Sequence, residues 1–198
     1  MKHPTEVDKT QFDGALIASY GGGTNSTAML IGMAERGIRP DAIVFADTGG
    51  EKPHTYQYID TFSNWLETRQ LPAISIVRNH QPSKHGSLEA MCLANKILPS
   101  IAYGFKSCSV QYKVEPQDRF IKQTFPEAFE KKKVIKAIGF DAGESYRAVN
   151  SPQNWHSNYY PLIEWGVEQG TMHGRHHRCR PADARQIRLF LLPKYSPV

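Results

Sequence analysis

The chain has 198 residues, of which 40% are hydrophobic and 22% charged, and its formal net charge is +5. This ordinary globular composition excludes collagen, coiled coil and wholly disordered classes, and no apolar run reaches the roughly 18 residues that a membrane span needs. Three cysteines, Cys92, Cys108 and Cys179, make no even disulfide set, and the amino terminus lacks the apolar stretch of a secretory signal. A reducing, cytoplasmic setting and the absence of a membrane partner are therefore expected.

The positive charge is concentrated at the carboxyl end. Residues 1–166 contain 18 Lys and Arg against 17 Asp and Glu, whereas residues 167–198 contain six against two. The distribution of charge, more than its total, decides what the basicity means for partners.

Apolar runs alternate with helix-like segments along the body of the chain. The pattern predicts buried strands at 15–18, 42–46, 74–77 and 134–139, and helices at 24–36, 54–69, 87–98 and 117–125. A loop is expected over 106–116. Near-continuous apolar strands between helices indicate a mostly parallel sheet covered on both faces, so the predicted fold is an α/β three-layer sandwich with a doubly wound sheet.

A glycine-rich segment joins the first predicted strand to the first predicted helix. It reads Ser19-Tyr20-Gly21-Gly22-Gly23-Thr24-Asn25-Ser26-Thr27. Glycines allow positive φ and close approach of the backbone to a ligand, and the N–H groups of the helix start, with the Ser26 and Thr27 hydroxyls, would face an anion. This predicts a phosphate or sulfate site, although neither the kinase P-loop nor G-x-G-x-x-G is matched. A flexible turn with a Ser/Thr cap is the alternative.

A second polar segment, Ala46-Asp47-Thr48-Gly49, follows the second predicted strand. In a doubly wound sheet it would lie beside the end of the first strand, in the crevice where ligands bind. Asp47 would there hold a ribose hydroxyl, a magnesium ion or an adenine amine. A turn residue that caps the next segment is an equally good interpretation.

Five segments together resemble the phosphoadenosine phosphosulfate (PAPS) reductase family, within the adenine nucleotide alpha-hydrolase-like (PP-loop) superfamily. Two of them are the glycine-rich segment and Phe45–Gly49. Ser107–Pro116 is similar to the family's Cys-x-x-x-x-Lys-Val-x-Pro segment, and Gly139–Arg147 to its Gly-x-x-x-x-Glu-Ser-x-x-Arg loop. Tyr160–Trp165 is similar to its Tyr-Pro-Leu strand. They occur in the family's order and cover residues 15–165, which makes the set more specific than any single motif.

The resemblance implies a parallel sheet that binds ATP or an adenosine phosphosulfate nucleotide, with Mg²⁺ as a candidate companion ion. The residues expected to contact the nucleotide or its phosphates are Ser19, Gly21, Gly22, Gly23, Asn25, Ser26, Thr27, Asp47, Thr48, Gly49, Lys113, Glu144 and Arg147. Lys113 and Arg147 would neutralise phosphate or sulfate oxygens and Glu144 would orient Arg147; a solvated surface pair is the alternative. Asn25 stands where the superfamily has Asp, which weakens the expectation of metal-assisted ATP cleavage.

Cys108 is the cysteine that lies within a resembling segment, and it is the candidate catalytic nucleophile. Lys106 and Lys113 would promote its thiolate form. Cys92, on an apolar helix face, is expected to be a core residue.

After Trp165 the resemblance stops, and residues 167–198 show no apolar periodicity. His173, His176, His177 and Cys179 form a compact run, but one without the spacing of a closed zinc site. No metal site is therefore assigned in this chain.

A shift of reading frame accounts for the change. Back-translating Gly166–Pro197 and reading one base later permits, with codons chosen at most positions, a sequence that contains Gly-Lys-Ser-x-Cys-x-x-Cys-Pro, as the resemblance leads one to expect. We therefore predict a nucleotide-binding domain over residues 1–166 and an out-of-frame, non-native or disordered basic tail over residues 167–198. Only in the restored frame would Cys108 have partners for an iron–sulfur cluster.

Three functions follow from the sequence. The first is an adenine-nucleotide-binding enzyme of sulfur transfer or adenylation, served by a redox or sulfur-donor protein. A thioredoxin-type PAPS reductase is disfavoured, because the family's carboxyl-terminal Glu-Cys-Gly-Leu-His segment is absent from both frames. An inactive nucleotide-binding remnant is the third, and nucleic-acid binding is not expected, since a misread tail carries no selected charge pattern.

Overall fold

A computed structural model describes residues 12–79, 85–96, 110–149 and 153–168. Within them, five parallel strands form one sheet in the order β3-β2-β1-β4-β5. The strands are β1 (Ala15–Tyr20), β2 (Ala42–Asp47), β3 (Ile74–Arg78), β4 (Val134–Ile138) and β5 (His156–Tyr159). The predicted α/β fold with a doubly wound parallel sheet is confirmed.

Helices connect the strands and cover both faces of the sheet. They are α1 (Thr24–Glu35), α2 (Pro53–Thr68), α3 (Leu88–Asn95), α4 (Glu115–Thr124), α5 (Pro126–Glu130) and α6 (Pro161–Glu164). A π-helical turn, Val110–Val114, leads into α4, and a 3₁₀-helix, Ala142–Arg147, follows β4. The four predicted helices are all present, and their ends differ from the predicted ones by at most three residues, because caps and prolines, more than periodicity, set them.

Alternation along the buried strands divides the core into two layers. On one face, Tyr20 and Phe45 pack with Met29 and Phe62 of α1 and α2. On the other face, Ile17 and Val44 belong to a smaller cluster that includes Ile121 of α4. Parallel strands covered on both faces read as continuous apolar runs, which is why β1 and β2 were predictable.

Two sequence predictions of secondary structure are wrong. The segment Tyr160–Trp165 was expected to be a strand, but Pro161 stands in the first turn of α6, where its missing N–H costs nothing. The strand that joins β4 lies just before it, and its sequence, His-Ser-Asn-Tyr, has no apolar run to predict it. The loop expected over 106–116 is helical from Val110 onward.

The helix α3 also differs from expectation. None of its residues is buried, and Leu93 is 72% exposed. Cys92 is half-buried and is not in a disulfide. The expected core position of Cys92 is therefore not found.

At the carboxyl end of the described residues, Val167 is buried in the larger core cluster. Its N–H donates to the Leu162 carbonyl (2.8 Å), and its carbonyl accepts from the Ala142 N–H (2.9 Å). Packing thus continues one residue past the boundary expected at 166. Residues 169–198, including the His and Cys run, lie outside the described residues, so the frameshifted tail stays a prediction. No described helix is long and apolar enough to cross a membrane.

Candidate functional site

The carboxyl ends of all five strands lie at one edge of the sheet, because the strands are parallel. From β1 the chain adds β2 and β3 on one side and returns to place β4 and β5 on the other. The connections therefore diverge between β1 and β4, and ligands of doubly wound sheets bind at such a point. The sequence had predicted a ligand crevice between the ends of β1 and β2, one strand to the side.

The glycine loop, Gly21–Gly23, lies at this point and leads into α1. Gly22 has φ +69°, a conformation that favours glycine, and a Cβ there would lie 3.4 Å from the Phe45 ring and 3.5 Å from Thr55. Gly23 is the N-cap of α1 in an extended conformation and has no side chain that accepts from the first turn. The first N–H groups of a helix have no partner within the helix, so this end of α1 is an open donor site.

The hydroxyls of Ser26 and Thr27 are buried and turned inward. Ser26 Oγ accepts from the Gly21 N–H (3.2 Å) and donates to the Gly23 carbonyl (3.1 Å). Thr27 Oγ1 donates to the same carbonyl (2.9 Å). Both hydroxyls therefore stabilise the glycine loop, and an anion would meet backbone N–H groups in place of the hydroxyls expected from the sequence.

Ser19 faces another part of the molecule. Its Oγ donates to Gln117 Oε1 of α4 (3.0 Å). The residue therefore links β1 to the helix on the opposite face from α1.

The loop after β4 packs directly on the start of α1. A Cβ on Gly139 would come within 2.9 Å of Ser26 Cα, so only glycine permits this approach. Asn25 Nδ2 donates to Asp141 Oδ2 (3.3 Å) and to Glu144 Oε2 (3.0 Å). The neutral amide bridges two carboxylates and ties α1 to the 3₁₀-helix.

Arg147 lies at the outer side of this bridge. It pairs with Glu144, and its guanidinium carbon lies 4.2 Å from the centroid of the Phe140 ring. Phe140 in turn stacks on Tyr160, with centroids 5.7 Å apart. The carboxylate of Glu144 and the ring of Phe140 together fix the orientation of the Arg147 guanidinium.

Asp47, at the end of β2, is fully buried and has protein donors on both oxygens. Oδ1 accepts from the Gly49 N–H and the Tyr56 hydroxyl, each at 2.8 Å, and Oδ2 accepts from Nε (2.8 Å) and Nη2 (2.7 Å) of Arg78. Burial alone would raise the pKa of this carboxyl, but the bonds from Gly49, Tyr56 and Arg78 outweigh it and hold the pKa below its ordinary value. The geometry matches the turn-capping interpretation, with an ion pair added.

Thr48 and Gly49 hold the start of α3. The Thr48 carbonyl accepts from the Leu88 N–H (2.9 Å). Gly49 has φ +72°, and a Cβ there would lie 2.4 Å from Ser87 Cβ. These two residues therefore dock one helix against the end of β2.

Of the other residues that the sequence suggested for the site, the structure describes only Lys113. Lys113 is exposed on the π-helical turn that precedes α4. Cys108 and Lys106 lie outside the described residues. Sequence reasoning missed Arg78, whose only local signal is a charged residue directly after the apolar run of β3.

Comparison with known proteins gives no identification. No protein-family model matches the chain, and no curated protein matches its sequence. Among the residues that the structure describes, no group of three or more His, Cys, Asp or Glu is arranged to hold a metal ion.

Proposed function

We propose that this chain binds an adenine nucleotide at the carboxyl edge of the sheet, with phosphate or sulfate groups on the glycine loop and the first turn of α1. The observation that carries the proposal is the glycine N-cap of α1, located where the strand order diverges. A helix amino end carries roughly half a positive charge and several unpaired N–H donors, which suits an anion.

The loop is held in place before any ligand arrives. Ser26 and Thr27 fix it from within, and Asn25 and Gly139 fix the start of α1 from the β4 side. Donors that need no reorganisation bind an anion at lower cost. This supports a binding site over a flexible turn, the alternative that the sequence left open.

The donor set fits an anion better than a resident Mg²⁺. The Asn25 amide occupies one oxygen of Asp141 and one of Glu144, and Arg147 pairs with the other oxygen of Glu144. A magnesium ion prefers carboxylate oxygens that remain available. Any Mg²⁺ would therefore arrive on the phosphates of the nucleotide, and we assign no catalytic step to it.

The reaction follows from the resemblance alone. Sulfur transfer or adenylation is the proposed class, served by a redox or sulfur-donor protein, with Cys108 as the candidate nucleophile. A PAPS reductase and an inactive nucleotide-binding remnant are the alternatives. Arg147 would compensate charge on the bound phosphate or sulfate, since its guanidinium is directed by Glu144 and Phe140.

Substitutions of Gly23 test the binding site without disturbing the fold. A Cβ at Gly23 meets no atom within 4 Å, and the residue has a negative φ. Gly23→Asp would place a carboxylate on the open N–H groups and cap α1, and Gly23→Ala leaves those groups open. Gly23→Asn separates the effect of the cap from that of the charge.

Calorimetry with ATP, adenosine 5′-phosphosulfate and PAPS provides the readout. We expect Gly23→Asp to bind at least about tenfold more weakly than Gly23→Ala, a difference of about 1.4 kcal/mol. Its melting temperature should be equal or higher, because an Asp N-cap stabilises a helix. Wild-type protein that binds none of the three nucleotides, or equal affinity across the variants, would contradict the proposal.

A further inference from the structure

The side chain of Arg78 is largely exposed, yet hydrogen bonds to Asp47 fix the position of its guanidinium. Its side chain is 61% exposed, whereas the side chain of its partner Asp47 is 0% exposed. Nε and Nη2 are both fixed by the same carboxylate oxygen. Because Nε and Nη2 share one edge of the planar guanidinium, Nη1 lies on the edge opposite the carboxylate, and the side chain as a whole is largely exposed.

A purely structural role explains why Arg78 pairs with Asp47, but it gives no use for the guanidinium donors that do not contact Asp47. A buried carboxylate needs a compensating cation, and Arg78 supplies one. The Tyr56 hydroxyl and the Gly49 N–H already satisfy the other oxygen of Asp47. The N–H groups of Arg78 that do not bond Asp47 contribute nothing to binding that carboxylate. A planar guanidinium with such N–H groups matches the geometry of phosphate or sulfate oxygens.

The sheet register places Arg78 at the level of the glycine loop. Tyr20 pairs with Phe45, and Asp47, two residues further along β2, pairs with Arg78. The Arg78 backbone therefore lies two residues beyond the level of Tyr20, where β1 ends and the glycine loop begins, and two strand spacings or about 10 Å to the side.

The first turn of α2 connects the two positions. Thr55 packs beside Gly22, and the next residue, Tyr56, donates to Asp47. The glycine loop and Arg78 thus border one stretch of surface across the end of β2.

We propose that Arg78 binds a second phosphate or sulfate oxyanion of the ligand that the glycine loop anchors, and that Asp47 is the residue that positions it. The inference rests on the proposed function and extends it. The oxyanion belongs either to the same nucleotide or to a separate acidic substrate, and the experiment below distinguishes these sources.

The test uses matched arginine variants of the full chain. Arg78→Gln removes the charge but keeps a donor for Asp47, and Arg78→Lys keeps the charge but loses the fork. Arg69→Gln is the control, because Arg69 is an exposed arginine at the carboxyl end of α2, on the side of the sheet where β3 begins. Melting temperatures check the fold, and if Arg78→Gln does not fold, Arg78→Lys carries the comparison.

Calorimetry with ATP and with adenosine 3′,5′-bisphosphate, and a sulfate titration followed by backbone amide NMR, provide the readouts. We expect the affinity of Arg78→Gln for at least one probe to fall about tenfold or more, with a smaller loss in Arg78→Lys and none in Arg69→Gln. A loss with either nucleotide assigns the oxyanion to the nucleotide, and a loss with sulfate alone assigns it to a separate acidic substrate.

Equal affinity of Arg78→Gln and Arg69→Gln for all three probes would overturn the inference. That result differs from a failure of the proposed function, in which the wild-type protein binds no nucleotide at all. Wild-type protein that binds neither nucleotide nor sulfate would overturn both.

Discussion

The two flanks of the glycine loop use their carboxylates in different ways. On the β2–β3 flank, Asp47 is buried and its partner Arg78 faces solvent. On the β4 flank, Asp141 and Glu144 share the neutral amide of Asn25, and one cation, Arg147, pairs with Glu144. Among the described residues, the Asp47–Arg78 pair has balanced formal charge with its cation outward, whereas Asp141, Glu144 and Arg147 make two acids against one base.

This difference indicates where an anionic ligand should extend from the loop. On the β4 flank an oxyanion would meet Arg147 together with the negative charge of Asp141 and Glu144, whereas on the β2–β3 flank it would meet the Arg78 guanidinium, whose partner carboxylate is buried. The open donors of α1 lie between the two flanks. The ligand is therefore expected to run from the glycine loop toward Arg78.

Removing the buried carboxylate should have the largest effect. Asp47→Ala leaves Arg78, Tyr56 and the Gly49 N–H without their acceptor, and because the Arg78 left behind is largely exposed we expect a loss of about 2–3 kcal/mol in the free energy of unfolding. Asp13→Ala, which breaks the exposed pair with Lys133, is the control and should cost less than about 1 kcal/mol. Urea denaturation measures both. Equal losses of stability in the two variants would show that the bonds of Asp47 to Arg78, Tyr56 and Gly49 do not stabilise the β2–β3 flank.

Placing a third carboxylate on the β4 flank should have the next largest effect. Asn25→Asp replaces a donor with a charge beside Asp141 and Glu144, and we expect a loss of about 2 kcal/mol at pH 7. The exposed Asn64→Asp variant is the control. A variant as stable as the control at pH 7 would break the proposed contrast between the flanks.

A pH effect is expected from β5, away from both flanks. Burial, with the nearby charge of Lys136, lowers the pKa of His156 from its ordinary 6.5 to about 4. The unfolded chain therefore binds a proton between these values before the folded one does, and stability that is complete above pH 6.5 falls as the pH is lowered toward 4. After allowance for solvent screening, the loss should be about 1–2 kcal/mol.

His156→Gln should reduce this slope, and the exposed His54→Gln variant should not. Thermal denaturation between pH 4 and 7 measures the effect. An unchanged slope in His156→Gln would assign the pH dependence to other groups.

The smallest effect is expected in a reductase assay. The resemblance to the PAPS reductase family implies a Glu-Cys-Gly-Leu-His segment for reduction, and the 198 residues contain none, so we expect sulfite release from PAPS with thioredoxin not to exceed that of a Cys108→Ala control. Activity above the control would favour the reductase alternative over sulfur transfer or adenylation.

Local pattern was enough to predict the fold, because buried parallel strands leave apolar runs and surface helices leave a helical period. It failed at β5, whose polar sequence does not show the pairing with β4. The strand that the resemblance implied at Tyr160–Trp165 is instead the start of α6, as the local signal of Pro161 favours.

The candidate site was predictable only in part. The glycine-rich segment was predictable because three glycines follow one another in the sequence. The residues that bond Asn25, by contrast, are 116 and 119 positions away, and Arg78 bonds Asp47 across 31 positions. Such contacts depend on strand order, which no local pattern contains. The inward turn of Ser26 and Thr27 likewise depends on backbone geometry inside the loop.

Amide NMR of the labelled full chain can show whether an anion binds at the open start of α1. On titration with ATP, the backbone N–H signals of Gly23, Thr24 and Asn25 should show the largest shifts, and those shifts should be lost in Gly23→Asp but kept in Gly23→Ala. Shifts confined to other parts of the sheet, or shifts at these three residues that persist in Gly23→Asp, would contradict the account.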